Sequence, residues 1–168
     1  MASAIAGQAP RASIIIVNYN GRDYLDACLR SLGMGDESDY EVILVDNASS
    51  DGSADHVAAH YPHVRLTRCE SNLGYGAGNN LGAQLARGDY LAFLNPDTTV
   101  EPGWLEALLS VLESDPGIGL ATALLLLMDE PDRVNTCGND MHLTGLTLCR
   151  GMGAHRETFS APAEVSAV

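Results

Sequence analysis

The sequence predicts an α/β fold: a mostly parallel, twisted sheet with helices on both of its faces. Short apolar runs, several rich in β-branched residues, alternate along the chain with segments whose apolar residues recur at helical spacing. Such alternation requires right-handed crossovers, which place helices on both faces of a parallel sheet. Polar turn residues follow three of the apolar runs directly. We therefore expect the loops that begin at Tyr19, Asp46 and Asn95 to converge at one sheet edge.

Composition narrows the class of protein. The 168 residues suffice for one domain with a sizeable core, and 46% of them are hydrophobic. With 22 acidic against 9 basic side chains the net charge is -13, and no basic stripe is present, which argues against a nucleic-acid partner. The four cysteines form no Cys-x-x-Cys pair, which indicates reduced thiols. No secretory signal or membrane-length apolar run is visible, so we expect a cytoplasmic protein, either soluble or peripheral to the inner face of the membrane.

The first predicted strand covers residues 13–18, where four consecutive residues are Ile or Val. A turn follows, and then a helix is predicted because apolar residues recur at helical spacing from Leu25 to Leu32. Gly33 is the expected stop of this helix. The sequence thus predicts a first strand and a first helix separated by a short loop.

The second predicted strand covers residues 40–45 and ends on an acidic residue, Asp46. A turn-forming segment comes next, with Ser53 as the expected N-cap of a short helix that Pro62 closes. A third and more polar strand is predicted at residues 64–68, nearer an edge of the sheet.

A glycine-rich segment at residues 72–80 leads into a helix that carries Leu81 and Leu85 and stops near Gly88. Glycines at alternate positions let the backbone approach a ligand closely, and free N–H groups at a helix start favour anions. A mobile loop, or tight packing of the helix on the sheet, explains the same glycines. The pattern alone leaves these interpretations open.

The fourth predicted strand covers residues 90–94, whose apolar character predicts burial on both faces. Pro96 ends the strand and projects Asp97 beyond its carboxyl end. The amide oxygen of Asn95 and the carboxylate of Asp97 are hard ligands suited to Mg²⁺ or Mn²⁺. An ordinary turn uses the same residue types, so the pattern alone does not decide between them.

The last third of the chain is less regular. An amphipathic helix is predicted between Trp104 and Leu112, and an apolar strand at residues 118–128. A hairpin is indicated around Thr144 and Gly145, and the segment after it has no recognisable pattern.

Four segments, read in order, resemble the motifs of inverting glycosyltransferases of the GT-A fold, family 2 type. The matching residues are 13–20, 45–53, 72–80 and 88–97. The set looks most like the rhamnosyltransferase-like branch that makes bacterial polysaccharides. The resemblance implies the nucleotide-diphospho-sugar transferase fold and the transfer of a sugar from a nucleotide diphosphate.

The resemblance also implies a nucleotide-sugar site. Tyr19 matches the residue that packs on the base, and Asp46 the carboxylate that accepts a hydrogen bond from a uracil or thymine imide. Asn72 and Gly74 match a loop that borders the nucleotide. Asp51 is implied to orient the nucleotide, although a turn or capping role explains it equally well.

The metal site and the reaction follow from the same resemblance. Asp97 matches the last carboxylate of the family's Asp-x-Asp motif, which holds Mg²⁺ or Mn²⁺ against the diphosphate, while Asn95 stands in place of the first Asp. The implied enzyme is a hexosyltransferase that moves a sugar, with rhamnose as one candidate, from a UDP- or dTDP-sugar to a polysaccharide or glycolipid acceptor with inversion. The acceptor hydroxyl needs a general base. No acidic residue after Met128 has a matching setting, so we expect the base beyond Val168.

These expectations divide the chain into a loose N-terminus at residues 1–11, a nucleotide-sugar-binding domain at 12–128 and the start of an acceptor-side segment at 129–168. The chain is then the donor-binding half of a longer enzyme, and a homodimer is expected where apolar surface is left uncovered.

Two alternatives stay open. A non-catalytic nucleotide-sugar-binding module would also lack a base. A sugar nucleotidyltransferase would be expected to carry a Gly-rich, basic loop after the first strand, where this chain has Tyr19, Asn20 and Gly21.

Overall fold

The computed structural model describes residues 9–33, 39–144 and 146–166. The chain forms two compact units, one ending at Pro102 and one beginning at Gly103. Most of the predicted loose N-terminus, residues 1–8, lies outside the described residues. The predicted boundary at residue 128, between the nucleotide-sugar-binding domain and the acceptor-side segment, stays a prediction.

The first unit is a four-stranded parallel sheet with its connecting helices. Its strands are β1 Ala12–Asn18, β2 Tyr40–Asp46, β3 Arg65–Arg68 and β4 Tyr90–Leu94. The helices between them are α1 Arg22–Ser31, α2 Ser53–His60 and α3 Tyr75–Leu85. The strands lie in the order β3-β2-β1-β4, and all the pairings are parallel. The predicted parallel α/β sheet is therefore confirmed, with β3 at an edge as expected.

The core lies on both faces of β1 and β2. On one face Ile15 and Ile43 are buried neighbours, and α3 packs over them. On the other face Ile14 and Leu44 are fully buried. Leu25 of α1 and Val57 of α2 are fully buried as well. The continuous apolar runs of these two strands are explained by this burial from both sides.

Two glycines of α3 let this helix approach the sheet closely. A Cβ atom on Gly82 would lie 2.4 Å from Cγ2 of Ile15, and one on Gly78 would lie 2.8 Å from Cγ1 of Val17. Of the readings left open by the sequence, tight packing of helix on sheet accounts for these two glycines. Gly74, in contrast, has a φ of +81° and open space around it.

The prediction that β4 is buried on both faces is wrong. β4 pairs with β1 and forms the end of the described sheet, and its Leu91 and Phe93 are 45% and 54% exposed. Leu91 and Phe93 lie two residues apart and so on the same face, and an apolar run does not reveal whether both faces of its strand are covered.

Two further local predictions need correction. Ser53 is the first residue of α2 rather than its N-cap, a position that Gly52 occupies with a φ of +76°. The hydroxyl of Ser53 is buried and contacts Asn18 instead of capping the helix. The strand predicted at residues 118–128 is reduced to Leu125–Leu126, because only these residues find a strand partner among the described residues.

The second unit contains one helix and short antiparallel pairs. Its elements are α4 Trp104–Ser114, β5 Leu125–Leu126, β6 Val134–Thr136, β7 Asn139–Met141, β8 Thr147–Cys149 and a 3₁₀ turn at Arg156–Thr158. β5 pairs with β6, and β7 pairs with β8 as the predicted hairpin. Gly145, part of the predicted hairpin, lies outside the described residues. Within the described ranges, no helix combines the length and the apolarity that crossing a membrane requires.

Candidate functional site

The candidate site lies where the two central strands end. Asn18 and Asp46 are the last residues of β1 and β2, and they face each other in the parallel register. The side-chain amide of Asn18 donates to Oδ1 of Asp46 at 3.1 Å, and the backbone N–H of Ser49 donates to Oδ2 at 3.2 Å. Asp46 is only 3% exposed, yet it lines an open pocket of about 440 Å³. Both oxygens of its carboxylate are thus held by protein donors in a residue that lines the pocket.

Asn18 joins the loop after β1 to the loop after β2. Its Nδ2 also lies 3.1 Å from Oγ of Ser49 and 2.8 Å from Oγ of Ser53. Its Oδ1 accepts the backbone N–H of Gly21 at 3.1 Å, and a Cβ atom on Gly21 would come within 2.5 Å of that oxygen. Asn18 is fully buried, and both ends of its amide have partners.

Asn47 joins the loop after β2 to the glycine-rich segment. Its Nδ2 donates to Oδ1 of Asn72 at 2.9 Å and to the carbonyl of Gly74 at 3.3 Å. Its Oδ1 accepts the backbone N–H of Leu73 at 2.9 Å. The side chain of Asn72 also accepts the N–H of Gly74 at 2.8 Å. Asn72 and Gly74 are therefore held at the same sheet edge as Asp46.

Asp51 is exposed, and its carboxylate braces the loop after β2. Its Oδ1 accepts the N–H and the hydroxyl of Ser53, and its Oδ2 accepts the N–H of Arg22 at 2.9 Å. Burial alone would raise the pKa of Asp51, but these hydrogen bonds outweigh it and hold the pKa below its ordinary value. Because Gly52 is the N-cap of α2, these contacts to Ser53 and Arg22 are those of a turn residue, which is one of the local roles left open by the sequence.

A side-chain network ties together the two helices that follow these loops. Asp26 of α1 accepts from Nε2 of His56 at 2.7 Å and from the Tyr61 hydroxyl at 2.8 Å. The guanidinium of Arg22 lies 2.9 Å from Nδ1 of His56 and can only donate, so the ring proton is on Nε2. Hydrogen bonds from His56 and Tyr61 lower the pKa of Asp26 to about 2.

Tyr19 is exposed beside this scaffold. Its ring is 55% exposed, directly after the last residue of β1. The neighbouring Asn20 has a left-handed backbone with a φ of +54°, and its N–H donates to Oγ of Ser49 at 3.0 Å. An aromatic ring held on such a turn is available to stack on a planar ligand.

The third loop, Asn95 to Asp97, reaches the same edge. A Cβ atom on Gly21 would lie 3.8 Å from Cβ of Pro96, and Sγ of Cys28 lies 3.7 Å from the carbonyl oxygen of Asn95. The thiol of Cys28 has its pKa raised to about 12, first by burial and then by the negative charge of Asp97. The predicted convergence of three loops is what the structure shows.

Asn95 and Asp97 are both exposed. Within the described ranges, neither side chain makes a hydrogen bond or an ion pair, and no group of three His, Cys, Asp or Glu side chains could hold a metal. Mg²⁺ in phosphate sites commonly takes one or two carboxylates and completes its shell with water and substrate phosphates. A single unengaged carboxylate with a neighbouring amide fits that kind of metal site.

Asn18 and Asn47 were not among the site residues predicted from the sequence. A signal was present for Asn18, since a polar residue at the end of a strand buried on both faces must find partners inside the protein. No comparable signal pointed to Asn47, because its partners come from a segment 25 residues further along the chain.

Comparison with known proteins identifies the family. The model of the family described as Glycosyl transferase family 2 matches residues 13–132. The chain belongs to this family. A glycosyltransferase of uncharacterised function from Haemophilus influenzae is 36% identical over 106 residues, which are 63% of this chain and 36% of that protein. The N-acetylglucosaminyl-diphospho-decaprenol L-rhamnosyltransferase of Mycobacterium tuberculosis is 35% identical over 130 residues, 71% of this chain and 41% of that protein.

Solved structures of two other proteins support the fold. Staphylococcus aureus TarS in complex with UDP-GlcNAc matches 71% of this chain and 41% of its own, with a TM-score of 0.56 and 20% identity. The mannosyltransferase PcManGT from Pyrobaculum calidifontis, in complex with GDP-Man and Mn²⁺, matches 67% of this chain and 34% of its own, with a TM-score of 0.59 and 24% identity. The GT-A fold implied by the resemblance is confirmed. This family 2 chain spans less than half of the length of these relatives.

Proposed function

We propose that this family 2 chain binds the nucleotide-diphospho-sugar donor of a glycosyltransferase. The observation that carries the proposal is the carboxylate of Asp46, held by Asn18 and Ser49 at the edge of an open pocket, with the exposed ring of Tyr19 on the adjoining loop. A fixed carboxylate of a residue that lines a pocket is suited to accept an N–H from a ligand, and an exposed ring is suited to stack on the ligand's base.

Each candidate residue has a part in this proposal. Tyr19 stacks on the base, and Asp46 accepts the imide N–H of uracil or thymine, which favours UDP- or dTDP-sugars. Asn72 and Gly74, held by Asn47, border the nucleotide. Asp51 orients the nucleotide indirectly, because its own oxygens are engaged by Ser53 and Arg22.

Asp97 and Asn95 are the residues that would hold Mg²⁺ or Mn²⁺ beside the diphosphate. A divalent ion supplies Lewis acidity that stabilises negative charge on a departing diphosphate. It also offsets the repulsion between an anionic donor and a chain with a net charge of -13. The two carboxylate oxygens of Asp97 are free of hydrogen bonds within the described residues, as this role requires.

The complete activity that we propose is transfer of a sugar to a polysaccharide or glycolipid acceptor with inversion at the anomeric carbon. Rhamnose is the first sugar to test, because one relative is named as a rhamnosyltransferase. That relative acts on a diphospho-decaprenol acceptor, which supports a lipid-linked acceptor and a place at the cytoplasmic face of a membrane. None of the residues given a role above is the general base in this proposal. We also propose a homodimer, in which a second copy of the chain buries the exposed Leu91 and Phe93.

Calorimetric titration with UDP and with dTDP tests the proposal, each with Mn²⁺, with Mg²⁺ and with chelator. Binding that requires the metal and is lost in Asp97→Ala supports the donor site. Asp89→Ala is the matched control, since Asp89 is an exposed aspartate just before the other end of β4. No binding by the unaltered chain under any condition would overturn the proposal. Donor hydrolysis or transfer assays then separate an enzyme from a non-catalytic binding module.

A further inference from the structure

We infer that Asn18 is a positioning residue that orients the carboxylate of Asp46 and thereby sets affinity and base selectivity for the nucleotide. This inference rests on the proposed function, in which Asp46 reads the base. Asn18 does not itself border the pocket that Asp46 lines. Its effect on a ligand is therefore exerted through Asp46.

The chemistry of Asn18 matches its surroundings at both ends. The two hydrogens of Nδ2 face three acceptors, namely Oδ1 of Asp46 and the hydroxyl oxygens of Ser49 and Ser53. The oxygen faces the backbone N–H of Gly21, which can only donate and so fixes the orientation of the amide. An aspartate at this position would place a second carboxylate against Asp46 in a fully buried site.

The contacts of Asn18 control how Asp46 presents its oxygens. One oxygen is held by Asn18, at the end of β1, and the other by the N–H of Ser49, in the loop after β2, so two donors from different segments fix the plane of the carboxylate. Each oxygen keeps a further lone pair for a ligand. Without the Asn18 amide, the buried oxygen lacks its side-chain donor, and the carboxylate has to rotate towards another partner.

Ser13 provides a matched control on the same strand. It is as fully buried as Asn18, and its hydroxyl donates to a buried carboxylate on β2, that of Glu41, at 2.8 Å. This pair lies at the amino end of the strands, whereas Asn18 and Asp46 lie at the carboxyl end. Removal of either side chain costs a buried hydrogen bond to a carboxylate, but only Asn18 is at the proposed site.

The experiment compares Asn18→Ala with Ser13→Ala. Thermal unfolding and titrations with UDP, dTDP and GDP, all with Mn²⁺, are measured for both variants and for the unaltered chain. We expect both variants to unfold at lower temperature. We expect Asn18→Ala alone to bind UDP about tenfold more weakly and to lose most of its preference for UDP over GDP. Asn18→Ser, which keeps one donor, is expected to be intermediate and serves if the alanine variant does not fold.

The outcomes separate the inference from the proposed function. If the Asn18 variants are destabilised like Ser13→Ala but keep the affinity and base preference of the unaltered chain, Asn18 is only a structural residue and the inference is overturned. If the unaltered chain binds no nucleotide, the proposed function fails, and the inference fails with it.

Discussion

Arg87 binds the carboxylate of Glu41 through its backbone N–H and through its guanidinium, each at 2.8 Å. Glu41 lies at the amino end of β2, is only 8% exposed and also accepts hydrogen bonds from Ser13 and Arg65. Burial alone would raise the pKa of Glu41, but the hydrogen bonds from Arg87, Ser13 and Arg65 outweigh it and lower the pKa to about 2. Arg87 follows α3 and Arg65 begins β3, so their contacts with Glu41 connect both elements to β2.

This pairing predicts a specific loss of stability in acid. Because the folded-state pKa of about 2 lies below the ordinary value of 4.5, the contribution of Glu41 is fully present above pH 4.5. It is lost as the pH falls from 4.5 towards 2, and its size is up to about 3 kcal/mol. Urea unfolding between pH 7 and pH 3 measures it. Glu41→Gln is expected to be less stable at pH 7 and to show a flatter pH profile. An unchanged profile in this variant would assign the acid sensitivity to other groups.

The close approach of α3 to β1 predicts opposite effects for two glycine substitutions in one helix. Gly82→Ala should destabilise the fold by about 1–3 kcal/mol, because its Cβ would lie 2.4 Å from Ile15. Gly76→Ala should be neutral or stabilising by about 0.5 kcal/mol, because its Cβ would meet open space and alanine favours a helix. The free energies of unfolding of the two variants check this. Similar values for both would show that helix propensity, and not packing, governs α3.

The position of Asp46 predicts a difference between two acidic residues that line one pocket. Asp46→Asn should weaken the binding of UDP by at least about tenfold, since the charged acceptor held by Asn18 is lost. Asp55→Asn should leave binding within about twofold, because Asp55 is 80% exposed and its partner is Arg68. Titration calorimetry on both variants measures the effect. Equal losses would mean that the pocket attracts its ligand by overall charge and not by a specific acceptor.

The cysteines should differ sharply in reactivity. Cys28 is buried, and its pKa is raised to about 12, so little thiolate is available for alkylation. Cys149 is exposed. We expect iodoacetamide at pH 8 to label Cys149 in the folded protein and Cys28 only after unfolding, as peptide mass mapping would show. Labelling of Cys28 at the rate of Cys149 would mean that α1 opens readily from the sheet.

The positions of the site loops could be predicted from the sequence, but the contacts within the site could not. Asp46 and Asn95 each follow an apolar run, and in a parallel sheet this suffices to place both at one edge. Asn18, in contrast, contacts Ser53, which lies 35 residues away. Ser53 was expected to cap α2, and only the folded chain shows that its hydroxyl faces Asn18 instead. The role of Asn47 depends in the same way on a partner from another loop.

The order of strands and helices, and the resemblance to family 2, were determined by the sequence itself, because periodicity and turn residues are local properties of the chain. The tertiary structure decided what depends on neighbours from distant segments. It placed β4 at the end of the described sheet, brought Arg65 and Arg87 to Glu41, and joined Asn18 to Asp46. The physical reason is that a buried polar group must be satisfied, and which group satisfies it is settled only when the segments pack.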